Sequence, residues 1–207
     1  MRPEEFTLRF GNVGRLEPGG LAHMAQRERL CLYSLVYGLA PRYALEIGSY
    51  TGGSAMIISG ALDDVALGGR LMCIEPDGEI INPAARATIA HNGVFVEGYF
   101  PQDIPSTFDG RSTDGLFEFC FYDALHDEEF VAHTLAMLPR YLAPGAFIVS
   151  HDAYYAPQAR GIARAVQAAN LIDCGMITRV ANDVAEPGVL YGGMRLLKKP
   201  GELPHNS

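Results

Sequence analysis

Several features that mark other protein classes are missing from this chain of 207 residues. It contains no tryptophan, and no apolar run approaches the roughly 20 residues of a membrane-spanning helix. Its four cysteines are far apart and form no C-x-x-C pair, which excludes a zinc knuckle and gives no disulfide framework. The N-terminal stretch "MRPEEFTLRF" has acids where a signal peptide carries basic and then apolar residues. We therefore expect a cytoplasmic protein without a membrane partner.

Clusters of basic residues are also absent. The formal net charge is −8, and the only basic pair, Lys198–Lys199, lies near the C-terminus. A nucleic-acid surface needs clustered Lys and Arg to neutralise phosphates, so the composition argues against a nucleic-acid partner. An acidic protein can, however, accommodate a cationic cofactor.

Helical and extended patterns alternate along the chain, whose length suits one α/β domain. Strands are predicted at 43–48, 70–76, 93–98, 116–123 and 144–152, and helices at 21–40, 53–62, 82–92, about 127–142 and 157–170. Two more strand candidates, 174–183 and 189–199, are joined by a Pro-Gly turn near 187.

The alternation predicts a Rossmann-like, doubly wound α/β fold. Its mostly parallel seven-stranded sheet ends in an antiparallel C-terminal edge strand, because the chain closes on two successive strands. We expect a single domain over 1–207, with an N-terminal helical segment (1–40) and a Rossmann-like core (41–200).

A glycine-rich turn, "EIGSYTGGS", follows the first predicted strand, and cofactors bind at such turns. A P-loop is excluded because no lysine follows Gly52 or Gly53. The dinucleotide fingerprint is excluded because Tyr50 stands where it needs a glycine. The turn therefore fits neither motif. It consists of an acid on the strand (Glu46), two glycines (Gly48 and Gly52) and a serine (Ser54).

These residues suit an adenine-bearing cofactor other than a P-loop nucleotide or a dinucleotide. Gly48 and Gly52 let the backbone approach a ligand, and Ser54 with nearby amides can bind a carboxylate. Glu46, facing the same opening, can attract an ammonium or a sulfonium. S-adenosylmethionine carries all three groups. Glu75, at the carboxyl end of the second strand, can accept both ribose hydroxyls. A structural strand-to-helix turn and a solvated turn acid are the alternatives.

The stretch "LEIGSYTGGS" followed by "GGRLMCIEPD" resembles class I S-adenosylmethionine-dependent methyltransferases. More narrowly, it is similar to O-methyltransferases of the catechol and caffeoyl-CoA type and to macrolide-sugar O-methyltransferases. The similarity covers residues from about 30 to 155. It implies that Gly48, Ser54 and Glu75 bind the cofactor and that Tyr50 lies beside it.

The segment "EGYFPQDIP" (97–105) is similar to the one that closes over the adenine in this family. The resemblance thus implies that Gln102 or Asp103 contacts the cofactor, although a Pro-Asp turn explains the same residues. Relatives are commonly dimers, so the resemblance leaves a homodimer open.

Two acid–histidine pairs follow later strands: "FYDALH" gives Asp123 and His126, and "VSHD" gives His151 and Asp152. The carboxyl ends of parallel strands are neighbours, so both pairs belong to the rim that holds the glycine turn. A neutral histidine can remove the proton of an acceptor hydroxyl. Alternatively, Mg²⁺ held by carboxylates can lower the pKa of that hydroxyl.

The resemblance implies roles for these groups. Asp123-x-x-His126 is similar to the D-x-x-H of the macrolide-sugar enzymes, in which the Asp binds metal and the His is the catalytic base. Asp123 is also expected to contact the cofactor, and Asp152 matches a metal-binding acid or amide. The family has Asp-Asp or Asp-Asn at positions 151–152, so His151 puts the metal requirement in question. Helix capping by the two aspartates is the alternative.

We therefore expect a methyltransferase that uses S-adenosylmethionine, with Mg²⁺ as a candidate second cofactor, to methylate a hydroxyl of a small molecule. A non-catalytic or regulatory S-adenosylmethionine-binding protein of the same fold is the alternative. Another reaction, such as hydroxylation or N-methylation, is a second one, because fold does not fix function. The region before residue 21 and the segment 153–161 are expected to shape the acceptor pocket.

Overall fold

The computed structural model of the chain describes residues 21–179, 181–183 and 189–201. Its helices are α1 (Gln26–Leu39), α2 (Gly53–Val65), α3 (Pro83–Asn92), α4 (Glu128–Met137) and α5 (Ala156–Ala168). Its strands are β1 (Tyr43–Ile47), β2 (Arg70–Glu75), β3 (Gly93–Glu97), β4 (Thr107–Phe108), β5 (Arg111–Ser112), β6 (Phe117–Tyr122), β7 (Leu142–Ser150), β8 (Ile172–Met176), β9 (Ala181–Asp183), β10 (Leu190–Gly192) and β11 (Arg195–Lys198). Helices and strands therefore alternate along most of the chain, as the sequence predicts.

Seven of the strands form one sheet in the order β3-β2-β1-β6-β7-β11-β8. The pairs from β3 to β7 are all parallel, whereas β11 is antiparallel to both of its neighbours, β7 and β8. The predicted fold class is confirmed. The C-terminal antiparallel strand lies one position in from the edge, which β8 forms.

Helices cover both faces of the sheet, so its central strands are apolar on both sides, as parallel sheets require. All five residues of β1 are buried. Leu45 and Ile47 pack with residues of α4 and α5, such as Val131 and Ile162. Ala44, one position out of phase, packs on the opposite face with residues of α1 and α2. Glu46 alternates with Ala44 and therefore points to the α2 face.

Some boundaries differ from the prediction. Helix α1 begins at Gln26 rather than 21, because Ala25 is extended and its N–H donates to Glu28 Oε2. Helix α4 ends at Met137, where a short 3₁₀ turn containing Pro139 leads into β7.

The tail forms four short strands where two were predicted. The candidate 189–199 is divided between β10 and β11 at Gly192 and Gly193, which both have positive φ angles. The candidate 174–183 is likewise divided between β8 and β9. The expected turn near 187 and residues 1–20 of the expected helical segment lie outside the described residues. The single-domain assignment stays a prediction.

None of the helices in the described ranges combines the length and the apolarity needed to cross a bilayer. The strand order reverses direction between β1 and β6, which are neighbours in the sheet. In sheets of this kind, the crevice at the carboxyl ends of the strands near such a switch point is where ligands bind.

Candidate active site

A cavity of about 520 Å³ opens at this switch point. Residues that follow β1, β2, β3, β6 and β7 all contribute to its wall. The acidic side chains of the wall are Glu75, Asp123 and Asp152, and among its described residues there is no lysine or arginine. The apolar part includes Tyr99 and Leu125, which are more than half exposed. The cavity therefore combines an apolar surface with negative charge.

The glycines of the first loop serve close packing between chain segments. Gly48 has a φ of 85°, and a Cβ built on it would lie 2.2 Å from the carbonyl oxygen of Asp123. Gly52 has a φ of 89°, and its Cβ would lie 2.4 Å from that of Ala85. Protein atoms fill the space where each Cβ would lie, and the expected approach of a ligand to the backbone of these glycines stays a prediction. Gly48 still lines the cavity with its backbone.

Glu75 joins the first two loops of the site, where the sequence predicted a ribose-binding acid. Its Oε2 accepts the N–H of Tyr50 at 2.9 Å, and its Oε1 accepts the N–H of Asp77 at 3.3 Å. Tyr50 is half exposed, has a φ of 46°, and contacts the ring of His23 edge-on at 5.1 Å. Each carboxylate oxygen has capacity for a further hydrogen bond, and Glu75 lines the cavity.

Glu46 does not face the cavity, contrary to the prediction. It is completely buried on the α2 side of the sheet, where its Oε2 accepts the hydroxyl of Ser49 at 2.6 Å. Burial raises the pKa of Glu46 to about 7, against the lowering effects of Ser49 and Ser54. Ser54 is also buried, in the first turn of α2. Glu46 thus supports the loop from behind.

Gln102 and Asp103 line a separate, smaller cavity of about 270 Å³. Asp103 accepts the N–H of Tyr99 at 2.7 Å, so it stabilises the turn that follows β3. Tyr99, Phe100 and Phe130 line both cavities. The turn directs Tyr99 and Phe100 toward the main cavity, and the contact of Gln102 or Asp103 with the cofactor stays a prediction.

Asp123, His126 and Asp152 come together as predicted. His126 Nε2 lies 3.4 Å from Asp123 Oδ1 and 3.2 Å from Asp152 Oδ2. One ligand atom from each of the three residues lies within 4.8 Å of the others, and each side chain is partly buried. The second oxygen of Asp152 accepts the N–H of Gly192. The set provides two carboxylates and an imidazole at the edge of the cavity.

A second, buried histidine stands behind these groups. His151 Nδ1 lies 3.3 Å from Asp123 Oδ2 and 3.5 Å from Asp152 Oδ2, within ion-pair distance but without hydrogen-bond alignment. Its Nε2 lies 3.3 Å from Oε2 of Glu28, a completely buried residue of α1. Glu28 Oε1 also accepts the N–H of Gly193 at 2.6 Å. The cluster is thereby connected to α1 and to the loop after β10.

Opposite charges shift the pKa values in this cluster. Burial lowers the pKa of His126, but the hydrogen bond and charge of Asp123 and the charge of Asp152 together raise it above the ordinary value. Burial likewise lowers the pKa of His151, and the carboxylates of Asp123, Asp152 and Glu28 raise it well above the ordinary value. For Asp123, burial raises the pKa, while both histidines hold it below the usual range. The carboxylates of the cluster therefore favour the protonated, positively charged forms of both histidines.

Several site residues were missed by sequence reasoning. Tyr99 and Phe100 follow β3 after Gly98, and their position just beyond a strand end could have indicated them. His23 and Glu28 come from the segment before β1, for which no motif gives a signal. Thr51 donates its hydroxyl to the carbonyl of Leu21 at 2.7 Å, which holds this segment against the first loop.

The sequence also matches a family model described as a methyltransferase domain, over residues 45–153, more than half of the chain. The chain belongs to this family. The match confirms the recognition of a class I methyltransferase, and it runs from Leu45 within β1 to Ala153, the residue after Asp152. No curated protein matches the chain.

Solved structures show the same fold for this methyltransferase. One is the O-methyltransferase TomG from Streptomyces achromogenes, involved in tomaymycin synthesis and solved with S-adenosylmethionine: 19% identity, TM-score 0.63, covering 97% of this chain and 92% of that one. Another is an O-methyltransferase from Bacillus cereus in complex with S-adenosylhomocysteine: 16% identity, TM-score 0.62, coverage 94% and 90%. A third is a precorrin-6y C5,15-methyltransferase from Geobacter metallireducens: 12% identity, TM-score 0.61, coverage 88% and 92%.

Proposed function

We propose that this protein transfers a methyl group from S-adenosylmethionine to a hydroxyl of a small molecule. The observation that carries the proposal is the cavity at the switch point, with its three carboxylates and, among its described residues, no lysine or arginine. A phosphate-bearing cofactor finds no lysine or arginine partner among these residues, whereas the carboxylate of Glu75 can attract a cofactor with ammonium and sulfonium charges. The cavity also has a volume typical of small-molecule sites.

The cofactor residues follow from the cavity wall. Glu75 accepts the ribose hydroxyls with the free capacity of its two oxygens, beside Tyr50. Asp123 and the backbone of Gly48 face the ammonium and sulfonium end. Tyr99 supplies an exposed aromatic surface for the adenine. S-adenosylmethionine supplies the methyl group on its positively charged sulfur.

Behind this wall, Gly52 and Ser54 form the start of α2, and Glu46 holds Ser49. We propose that these residues shape the first loop, and that the amides of the first turn of α2 favour the cofactor carboxylate through the helix dipole. Their part in binding is then to position the loop.

The acceptor hydroxyl lies at the Asp123–His126–Asp152 cluster in this proposal. His126, whose Nε2 lies at the edge of the cavity between Asp123 and Asp152, removes the proton of that hydroxyl. Tyr155 contacts the ring of His126 edge-on at 6.3 Å and stacks on Tyr191 at 4.7 Å, which gives the acceptor side an aromatic wall. Asp123 and Asp152 are the carboxylates that would hold a divalent ion, which supplies Lewis acidity to the hydroxyl.

A transfer assay with S-adenosylmethionine carrying a trideuterated methyl group tests the function. Phenols, sugars and polyketides are offered as acceptors, and mass spectrometry with NMR locates the label on oxygen, nitrogen or carbon. We expect oxygen, with kcat lowered about 100-fold or more by His126→Asn. The matched control is His133→Asn, an exposed histidine on α4, which leaves kcat unchanged.

Two results would contradict the proposal. Label on nitrogen or carbon would show that the protein catalyses a different methyl transfer, which is the alternative that another reaction takes place on this fold. Binding of S-adenosylhomocysteine without transfer to any acceptor would favour the non-catalytic protein.

A further inference from the structure

The segment before α1 contributes one polar side chain, that of His23, to the wall of the main cavity. His23 is exposed, and its ring contacts the ring of Tyr50 edge-on at 5.1 Å. No described residue forms a hydrogen bond or an ion pair with the ring of His23. Within this part of the chain, both ring nitrogens are therefore available to a ligand.

Two contacts hold this segment against the first loop. The hydroxyl of Thr51 donates to the carbonyl of Leu21 at 2.7 Å. A Cβ built on Gly53 would lie 2.3 Å from the backbone nitrogen of Ala22, so the segment packs directly on the first residue of α2. These contacts place His23 beside the start of α2, the part of the loop to which the proposed function assigns the cofactor carboxylate.

The other charged groups of the cavity do not suit a carboxylate. The acids Glu75, Asp123 and Asp152 repel one at short range. His126 Nε2 already lies 3.4 and 3.2 Å from oxygens of Asp123 and Asp152, so a positive charge on it is balanced. Because the described part of the wall contains no lysine or arginine, His23 is its one remaining group that can become a cation.

From these contacts we propose that His23 binds the carboxylate of S-adenosylmethionine and selects ligands that carry this group. The proposal rests on the proposed function, which places the cofactor in this cavity. Either ring nitrogen of a histidine can donate to a carboxylate, and the bond is strongest when the ring is protonated. The contact with Tyr50, whose N–H is bound by Glu75, connects His23 to the ribose-binding acid.

The test compares two ligands of nearly the same shape by calorimetry with the full-length protein. S-adenosylhomocysteine has the carboxylate, and its carboxamide has a neutral amide in that place. We expect the unmodified protein to bind S-adenosylhomocysteine at least about tenfold more tightly, because hydrogen bonds between charged groups are about twice as strong as neutral ones. In His23→Phe, which keeps a ring against Tyr50 but has no N–H, this preference falls about fivefold or more.

His91→Phe is the matched control. It replaces an exposed histidine of α3 that does not line the cavity, and it keeps the full preference for the carboxylate. Thermal unfolding is measured on every variant. If His23→Phe does not fold, His23→Gln takes its place; it keeps a hydrogen-bond donor but cannot become a cation, and it lowers the preference about threefold.

Three results would overturn the proposal. The first is equal affinity of the unmodified protein for the two ligands. The second is a preference for the carboxylate that stays the same in the His23 variants. The third is a loss of affinity in His23→Phe that is equal for both ligands, which would mean that the residue acts only by packing on Tyr50. Failure of the unmodified protein to bind S-adenosylhomocysteine would instead contradict the proposed function.

Discussion

Gly48 and Asp123 are in direct backbone contact, with only 2.2 Å between the carbonyl oxygen of Asp123 and the place where a Cβ of residue 48 would stand. The contact joins the loop after β1 to the loop after β6, the two neighbouring strands at the switch point. Because Asp123 belongs to the proposed catalytic cluster, the missing side chain at position 48 fixes the distance between the cofactor loop and that cluster.

Gly48→Ala should therefore cost about 2–5 kcal/mol of unfolding free energy, from the clash and the left-handed backbone together. Gly68→Ala is the matched control, since Gly68 has a similar φ of 73° but nothing within 4 Å of its Cβ position. That variant should lose only about 1–2 kcal/mol. Urea unfolding measures both variants. Equal losses of unfolding free energy would show that the contact with Asp123 does not add to the cost of Gly48→Ala.

The pKa of Glu46 gives a pH-dependent stability with a defined sign. Its folded-state pKa is raised from 4.5 to about 7, so the proton binds more tightly in the folded state. The stabilisation this provides is complete below pH 4.5 and is lost as the pH rises through 7. A shift of this size corresponds to at most about 3 kcal/mol.

Glu46→Gln keeps the uncharged form at every pH. Its unfolding free energy, relative to the unmodified protein, should therefore improve between pH 5 and pH 8 by up to about 3 kcal/mol. Chemical denaturation at both pH values measures the difference in unfolding free energy between Glu46→Gln and the unmodified protein. The contributions of other titrating groups are the same in both proteins and cancel in this difference. A difference that is the same at both values would mean that Glu46 titrates normally.

The turn after β3 allows a test of where the adenine binds. Tyr99→Ala should weaken S-adenosylmethionine binding about tenfold, because an aromatic platform contributes about 1–3 kcal/mol to binding a base. Gln102→Ala should change the affinity by less than about twofold, since Gln102 lines the other cavity. Competition with a fluorescent cofactor analogue measures both. A larger loss of affinity in Gln102→Ala than in Tyr99→Ala would contradict this placement of the adenine and support the contact of Gln102 with the cofactor that the family resemblance implies.

The predictions that succeeded follow from chain order. Glu75 ends a strand with a clear apolar pattern, and Asp123 and Asp152 come just after two others; the carboxyl ends of parallel strands meet at one edge of the sheet. The alternation of polar and apolar residues could not predict which face of the sheet Glu46 points to. Both faces of β1 are buried, so apolar residues occur on both sides of the strand.

Contacts between distant segments were beyond prediction. Glu28 and His151 are 123 positions apart. In the sequence, Glu28 looks like an ordinary acid at the start of a helix, and His151 looks like a variant residue in a metal-binding pair. Only the packing of α1 beside the ends of β7 and β10 brings them together. The cavity that Gln102 and Asp103 line was unpredictable for a different reason: a turn can direct alternate residues to either side, and its sequence does not say which.

Calorimetric titration of S-adenosylmethionine into the protein and into Glu75→Ala tests the central claim most directly. We predict micromolar binding at one site, weakened at least about tenfold in Glu75→Ala, because hydrogen bonds to a charged group contribute about 1.5–3 kcal/mol. Glu79→Ala, which removes an exposed acid of the same loop, should bind like the unmodified protein. No binding to the unmodified protein, or equal affinities for it and Glu75→Ala, would contradict the assignment of this cavity to the methyl donor.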